Sequence, residues 1–184
     1  MATRAWWAKR WLVAVDEIAL DPLPVRHGRA LARAGAVGEV AVEPGRLRAA
    51  VRDRDGARFV ASWALPPLTG PQWETVRSAL AERPAHWAAL LDGHIAPGLV
   101  VDLEVAGVVL LPGAAGLEPD CDCGEFEVPC RHAAAVAVAF ADACGADPWS
   151  LLAWRGRDRS DLVRADAGRR ARRLLDAVGC GPVR

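Results

Sequence analysis

Apolar and polar positions along the chain follow two periods, and the changes of period divide it into elements. Behind Thr3 as N-cap, Trp7, Trp11, Ala14, Val15 and Ile18 recur at helical spacing, which predicts an amphipathic helix ending near Leu20, with Pro22 and Pro24 beyond it. That tryptophan stripe reads as core, whereas Trp6 lies off it and is the candidate for an exposed contact. From His27 to Gly38 glycines break both periods while Arg26, Arg29 and Arg33 punctuate the stretch, so it reads as a basic loop. A solvated connector and a phosphate-contacting loop both fit that pattern. Val37 to Glu43, Leu47 to Val51 and Phe59 to Leu65 are strand-like and separated by the turn signals Pro44-Gly45 and Asp55-Gly56, predicting a three-stranded antiparallel meander. Arg46, Arg48 and Arg52 share parity, so one exposed face of the meander is expected to be basic.

The middle of the chain returns to helical periods. Gly70-Pro71 opens a helix that turns Trp73, Val76 and Leu80 inward, Pro84 opens a shorter one with Trp87, Leu90 and Leu91, and a third is expected from Pro97 to Val105 before Gly107. Val108 to Leu111 reads as a short buried strand. The alanine-rich run from Ala133 to Ala143 predicts a helix that a neighbour can approach closely, and Asp147 caps a further helix with Pro148 at its first position. From Ser160, Val163, Ala167, Ala171, Leu174, Leu175 and Val178 mark one apolar face, with Arg164, Arg169, Arg170, Arg172 and Arg173 around the others. The expected class is α+β: an N-terminal region over 1–112, a small ββα-like unit over 113–145 and a helical extension over 146–184.

Candidate chemistry is concentrated between the last two helical runs. Cys121-Asp122-Cys123 is followed by Cys130-Arg131-His132, so three thiols and an imidazole fall within twelve positions. Soft sulfur with a borderline nitrogen is the donor set of closed tetrahedral zinc sites, with bonds of roughly 2.0–2.3 Å. In an extended strand Cys121 and Cys123 emerge on one face, and Gly124 allows the turn that follows. Cys130 and His132 cannot both ligate from inside one regular helix, because positions two apart point about 200° away from each other. The helix should therefore begin between them, consistent with Pro129 just before and the alanines just after.

This CxC, gap, CxH pattern resembles the SWIM zinc fingers, named for Swi/Snf-type ATPases and Mutator transposases. The chain is also similar to small bacterial SWIM proteins through Ala5-Trp6-Trp7, Arg10-Trp11, Arg33-Ala34-Gly35, Pro44-Gly45, Gln72-Trp73, the run from Ala81 to Ala85, Asp147-Pro148 and the run from Arg155 to Asp158. The resemblance implies one structural zinc ion, a role near DNA or chromatin-type machinery, and a helicase-like ATPase as partner.

Composition and charge narrow these expectations. The chain has twenty-two arginines but one lysine, Lys9, and abundant alanine, glycine and proline, so arginine richness reflects general residue usage as much as function. Net charge is zero, yet residues 1–60 carry eleven basic and seven acidic groups, 61–130 two and ten, and 131–184 ten and six. Three thiolates on a divalent ion leave −1, and Asp120, Asp122, Glu125 and Glu127 add to it, so the finger itself should repel phosphates. Any DNA contact, sequence-independent and salt-sensitive, falls instead to Arg26, Arg29, Arg33, Arg46, Arg48, Arg52, Arg155, Arg157 and Arg159. A cysteine-dependent enzyme is the rival class. Neither Cys144, at a helix end, nor Cys180, in a glycine-flanked tail, has an activated setting, and the middle of the chain has no phosphate-cradling loop or nucleophile elbow. His86 and His94 have no companions at ligand spacing. No run reaches the roughly 18–20 apolar residues of a membrane helix, and the start has no secretory apolar core, so a cytoplasmic, reducing location is expected.

Overall fold

In the computed structural model, which describes residues 4–177, the chain order is α1 (Trp6–Ile18), α2 (Pro22–Arg33), β1 (Ala41–Glu43), β2 (Arg46–Arg52), β3 (Arg58–Ala64), α3 (Gly70–Glu82), α4 (Pro84–Leu91), α5 (Pro97–Val105), β4 (Glu118–Cys121), α6 (Arg131–Ala146), α7 (Pro148–Trp154) and α8 (Arg159–Ala177). The class is α+β, with one antiparallel sheet in the order β1-β2-β3-β4. Thr3 lies outside the described residues; α1 starts behind Ala5 without a side-chain cap.

Helix α6 is the axis of the core. Its alanines leave room for large neighbours, and indole N–H groups reach its carbonyls: Trp63 donates to Ala133 at 2.8 Å, Trp11 to Ala137 at 2.9 Å and Trp7 to Cys144 at 2.7 Å. Each tryptophan thus buries its rings without leaving its donor unpaired. Trp11, Phe140 and Trp154 form edge-to-face contacts with centroids 5.3–6.0 Å apart, and Trp63 joins at 5.3 Å from Trp11. Trp6, expected at the surface, is instead half-buried and donates to the Ile95 carbonyl at 2.9 Å.

The structure corrects the expected basic loop at 27–38. Most of it is helix α2, because Asp21 accepts from the Leu23 N–H and Pro22 sits in the first turn, where its missing donor costs nothing. Gly28 is interior to this helix for reasons of contact: a Cβ there would lie 2.6 Å from Ala134 Cβ and from the Arg131 carbonyl oxygen. Glycine lets α2 lie directly against the first turns of α6.

Three further expectations change. The meander gains a fourth strand, β4, paired with β3, so the finger contributes one strand to a sheet built elsewhere rather than a hairpin of its own. Val108, Leu110 and Leu111 are buried but not in a strand; Val108 N–H instead closes the end of α5 on the Leu103 carbonyl. In α8 the buried residue is Leu162, while Val163, Ala167 and Ala171 face solvent. The side chains of 170 and 172–177 lie outside the described residues, as do Val178 and Cys180. No helix among the described residues is long and apolar enough to cross a membrane.

Candidate metal centre

Strand β4, the turn after it and the start of α6 converge on the Cys/His cluster. Cys121 ends β4, which is fixed by its ladder to β3, where Ala61 is its register partner. Cys123 follows in a turn that Asp122 anchors by accepting from the Val60 N–H at 2.8 Å, and Gly124, at φ +71°, turns the chain away. Cys130 is the N-cap of α6, and His132 sits in its first turn. The helix begins at Arg131, between the last two donors. Their backbones therefore differ, extended at Cys130 and helical at His132, which lets both side chains reach one point.

The donor atoms of Cys121, Cys123, Cys130 and His132 all lie within 4.8 Å of one another, and Cys121 Sγ is 3.8 Å from His132 Nδ1. Tetrahedral zinc with bonds of roughly 2.0–2.3 Å separates its ligands by about 3.3–3.8 Å. Small side-chain rotations close the remaining gap, so the cluster fits one structural zinc ion. Burial foremost, together with the neighbouring thiols, pushes the Cys121 and Cys130 thiols above their ordinary range. A site that resists thiolates at Cys121 and Cys130 on their own suits a cation that ionises them. The N-terminal end of α6 adds a favourable dipole for those charges.

A surrounding set of contacts, not legible in the sequence, holds the imidazole. His132 is fully buried; Phe59 lies against its ring at 4.5 Å between centroids, and its Nε2 is 3.3 Å from Asp53 Oδ2. With Nδ1 toward the sulfurs, Nε2 faces the carboxylate of a residue just after β2. Burial opposes ionisation of Asp53, but the Arg54 N–H, His132 and Arg131 outweigh it and hold the carboxyl below its usual range. Arg131 pairs at 2.8 Å with Asp53 and at 2.9 Å with Glu125, tying the loop between the cysteines to the helix start. Two of the four nearby acids, Asp122 and Glu125, are thereby engaged in building the site. Phe126 at the loop tip is 99% exposed.

The arginines named as possible nucleic-acid contacts are dispersed. Arg26 and Arg33 are exposed on α2 and line a shallow groove with Leu23, His27 and Arg29, the last held by Asp16 at 2.6 Å. Arg46, Arg48 and Arg52 project from the outer face of β2, where burial alternates along the strand. Arg155 is buried at 6% exposure, and its guanidinium donates to the carbonyls of Pro66 at 2.8 Å and Val109 at 3.2 Å, so it cannot meet a phosphate. Arg157 lies 3.8 Å from Asp161, and Arg159 stacks over Trp149 at 5.4 Å. His86 is also internal, 3.0 Å from Asp102.

Comparison with known proteins places this geometry. Residues 101–140 match the SWIM zinc finger family model, a span that contains all four donors. Over 169 residues it is 33% identical to the uncharacterized protein Rv2102 of Mycobacterium tuberculosis, covering 91% of this chain and 61% of that one. The chain thus spans about three-fifths of that relative's length. No solved structure matches it.

Proposed function

We propose that this protein is a non-catalytic interaction module in which zinc locks β4 and the loop after it onto the head of α6, and that it serves as an accessory partner of a Swi/Snf-like helicase ATPase. The observation that carries the first part is the closed donor set. Four protein ligands saturate a tetrahedral ion, whereas catalytic zinc keeps a position for water or substrate. The described cysteine outside the cluster supports the same reading: Cys144 is fully buried, and burial pushes its thiol up to about 12, far from a nucleophile's range. The ATPase partner rests on the resemblance to SWIM proteins that accompany such enzymes.

Removing the metal should be read locally. Zinc chelation, or Cys123→Ser, is expected to release 118–132 and perturb the emission of Trp63, whose indole bonds to the first turn of α6. Circular dichroism and tryptophan emission that stay unchanged with zinc verifiably absent would overturn the structural role. For the partner, capture from the native cell is expected to retrieve a helicase-type ATPase.

A second reading, direct sequence-independent DNA binding, is favoured by the exposed Arg26 and Arg33 on α2. Electrophoretic shifts at two salt concentrations separate the two. Affinity that falls steeply with salt supports DNA contact, and an ATPase partner without DNA affinity rejects it.

A further inference from the structure

The outer face of the sheet carries a charge pattern that the module reading leaves unexplained. On β2, Arg46 and Arg48 point to solvent; on β4, Glu118 and Asp120 do the same. Between these columns runs β3, whose side chains on this face here are the small Ser62, 4% exposed and reached by Arg46, and the half-buried Ala64. The register aligns the two columns. Arg46 and Glu118 are both paired with Ala64, and Arg48 and Asp120 are both paired with Ser62. Two strand spacings, about 9.6 Å, separate the backbones that carry the opposite charges in each row. Among the described residues none of the four makes an ion pair, and Arg46 reaches only Ser62 Oγ, at 3.4 Å.

Nucleic acid is a poor occupant for such a face. A phosphate chain laid along β2 would run beside the carboxylates of β4 at about one Debye length, where repulsion is still felt. A protein face with the same two columns in mirrored order fits better, and this chain supplies one. Turn a second copy over by a two-fold axis running along β3: position along the strands is kept, and left and right exchange. The β2 column then lies over β4 of the other copy, Arg46 opposite Glu118 and Arg48 opposite Asp120, each contact occurring twice. The low central strand meets itself. An axis across the strands would set arginine against arginine.

We infer that the outer sheet face is a self-complementary docking surface for a second copy of this chain, aligned through that two-fold axis. Isologous contacts of this kind are the commonest route to homodimers, and facing sheets keep their strands within about 30°. The face is small. Strands of three, seven, seven and four residues give an area on the order of 340 Å², below the roughly 800 Å² per partner of a standard interface. Association should therefore be weak and salt-sensitive. Glu43, beside Arg46 on β1, lies at the rim. The inference goes beyond the module reading and stands whether or not an ATPase is ever the partner.

The test uses the full zinc-loaded chain in sedimentation equilibrium at low and high salt, from about 10 µM to about 1 mM. Wild type is expected to dimerise reversibly at low salt and to dissociate as salt rises. Arg48→Glu alone and Asp120→Arg alone should each weaken self-association at least about tenfold, because each sets like charges opposite one another. Mixing the two variants should restore dimers, since every contact in the mixed pair again joins opposite charges. Both changes lie on an exposed face, and circular dichroism with a zinc assay verifies that each variant is folded. A monomeric wild type across the range, single variants that still dimerise as wild type does, or a mixture that stays monomeric overturns the inference; the first of these leaves the face to a different protein.

Discussion

His132 presents one nitrogen to the thiols and the other to Asp53, and the second contact decides how well the first is made. A ligating imidazole must be held in one tautomer and one orientation, which an outer carboxylate does by accepting its remaining N–H. Asp53 lies 3.3 Å from Nε2, off hydrogen-bond alignment, and is fixed there by the Arg54 N–H and by Arg131, while Phe59 closes the other side of the ring. Asp53→Asn keeps the shape but loses the charge. It is expected to lower zinc affinity by about 10- to 100-fold, read by competition with a chromogenic chelator, while circular dichroism of the zinc-saturated protein stays as in wild type. An unchanged affinity would mean that Asp53 serves only the Arg131 contact. The four donors themselves could be read from sequence because they fall within twelve positions. Asp53 could not, since it stands 79 positions from His132 and is brought there only by the fold.

At the scale of elements, what was legible followed from local chemistry. The Asp147 cap, the prolines opening α3, α4, α5 and α7, and the helix start at Arg131 act within a few residues, and the structure has them all. Strand β4 was not legible: Glu118-Pro119-Asp120-Cys121 has no apolar alternation and becomes a strand by pairing with residues 54–60 positions earlier. Helix α2 was missed because Gly28 looks like a breaker when its function is clearance. That difference has a sign that can be measured. In an exposed helix Gly→Ala stabilises by about 1 kcal/mol. Here the added methyl meets Ala134 Cβ and the Arg131 carbonyl at 2.6 Å, so Gly28→Ala is expected to destabilise by about 1–3 kcal/mol in urea denaturation. The strain falls on the first turn of α6, next to the metal, and should weaken zinc retention as well. A gain in stability would show that α2 and α6 are less intimately packed.

Over the whole molecule, the core joins residues from the N-terminal helices, the sheet, the helical middle and α7, and Arg155 is the polar tie among them. Its carbonyl accepts from Leu68 N–H at 2.9 Å and from the Trp73 indole at 3.1 Å, while its guanidinium holds the carbonyls that follow β3 and α5. Burial pulls its pKa down, but guanidinium remains ionised at any ordinary pH, so the charge depends on those carbonyls for its solvation. Arg155→Met removes the charge yet takes the donor from two carbonyls, those of Pro66 and Val109. The loss is expected to be about 2–4 kcal/mol, since each hydrogen bond to a charged group contributes about 1.5–3 kcal/mol and the relieved desolvation of the arginine offsets part of it. Arg155→Lys should recover little, because one ammonium cannot span carbonyls that the planar fork reaches from separate nitrogens. Because the residue ties parts of one continuous core, circular dichroism and tryptophan emission should fall together at a lower urea midpoint with an unchanged slope. Two separated transitions in the variant would instead mean that Arg155 joins units able to fold apart.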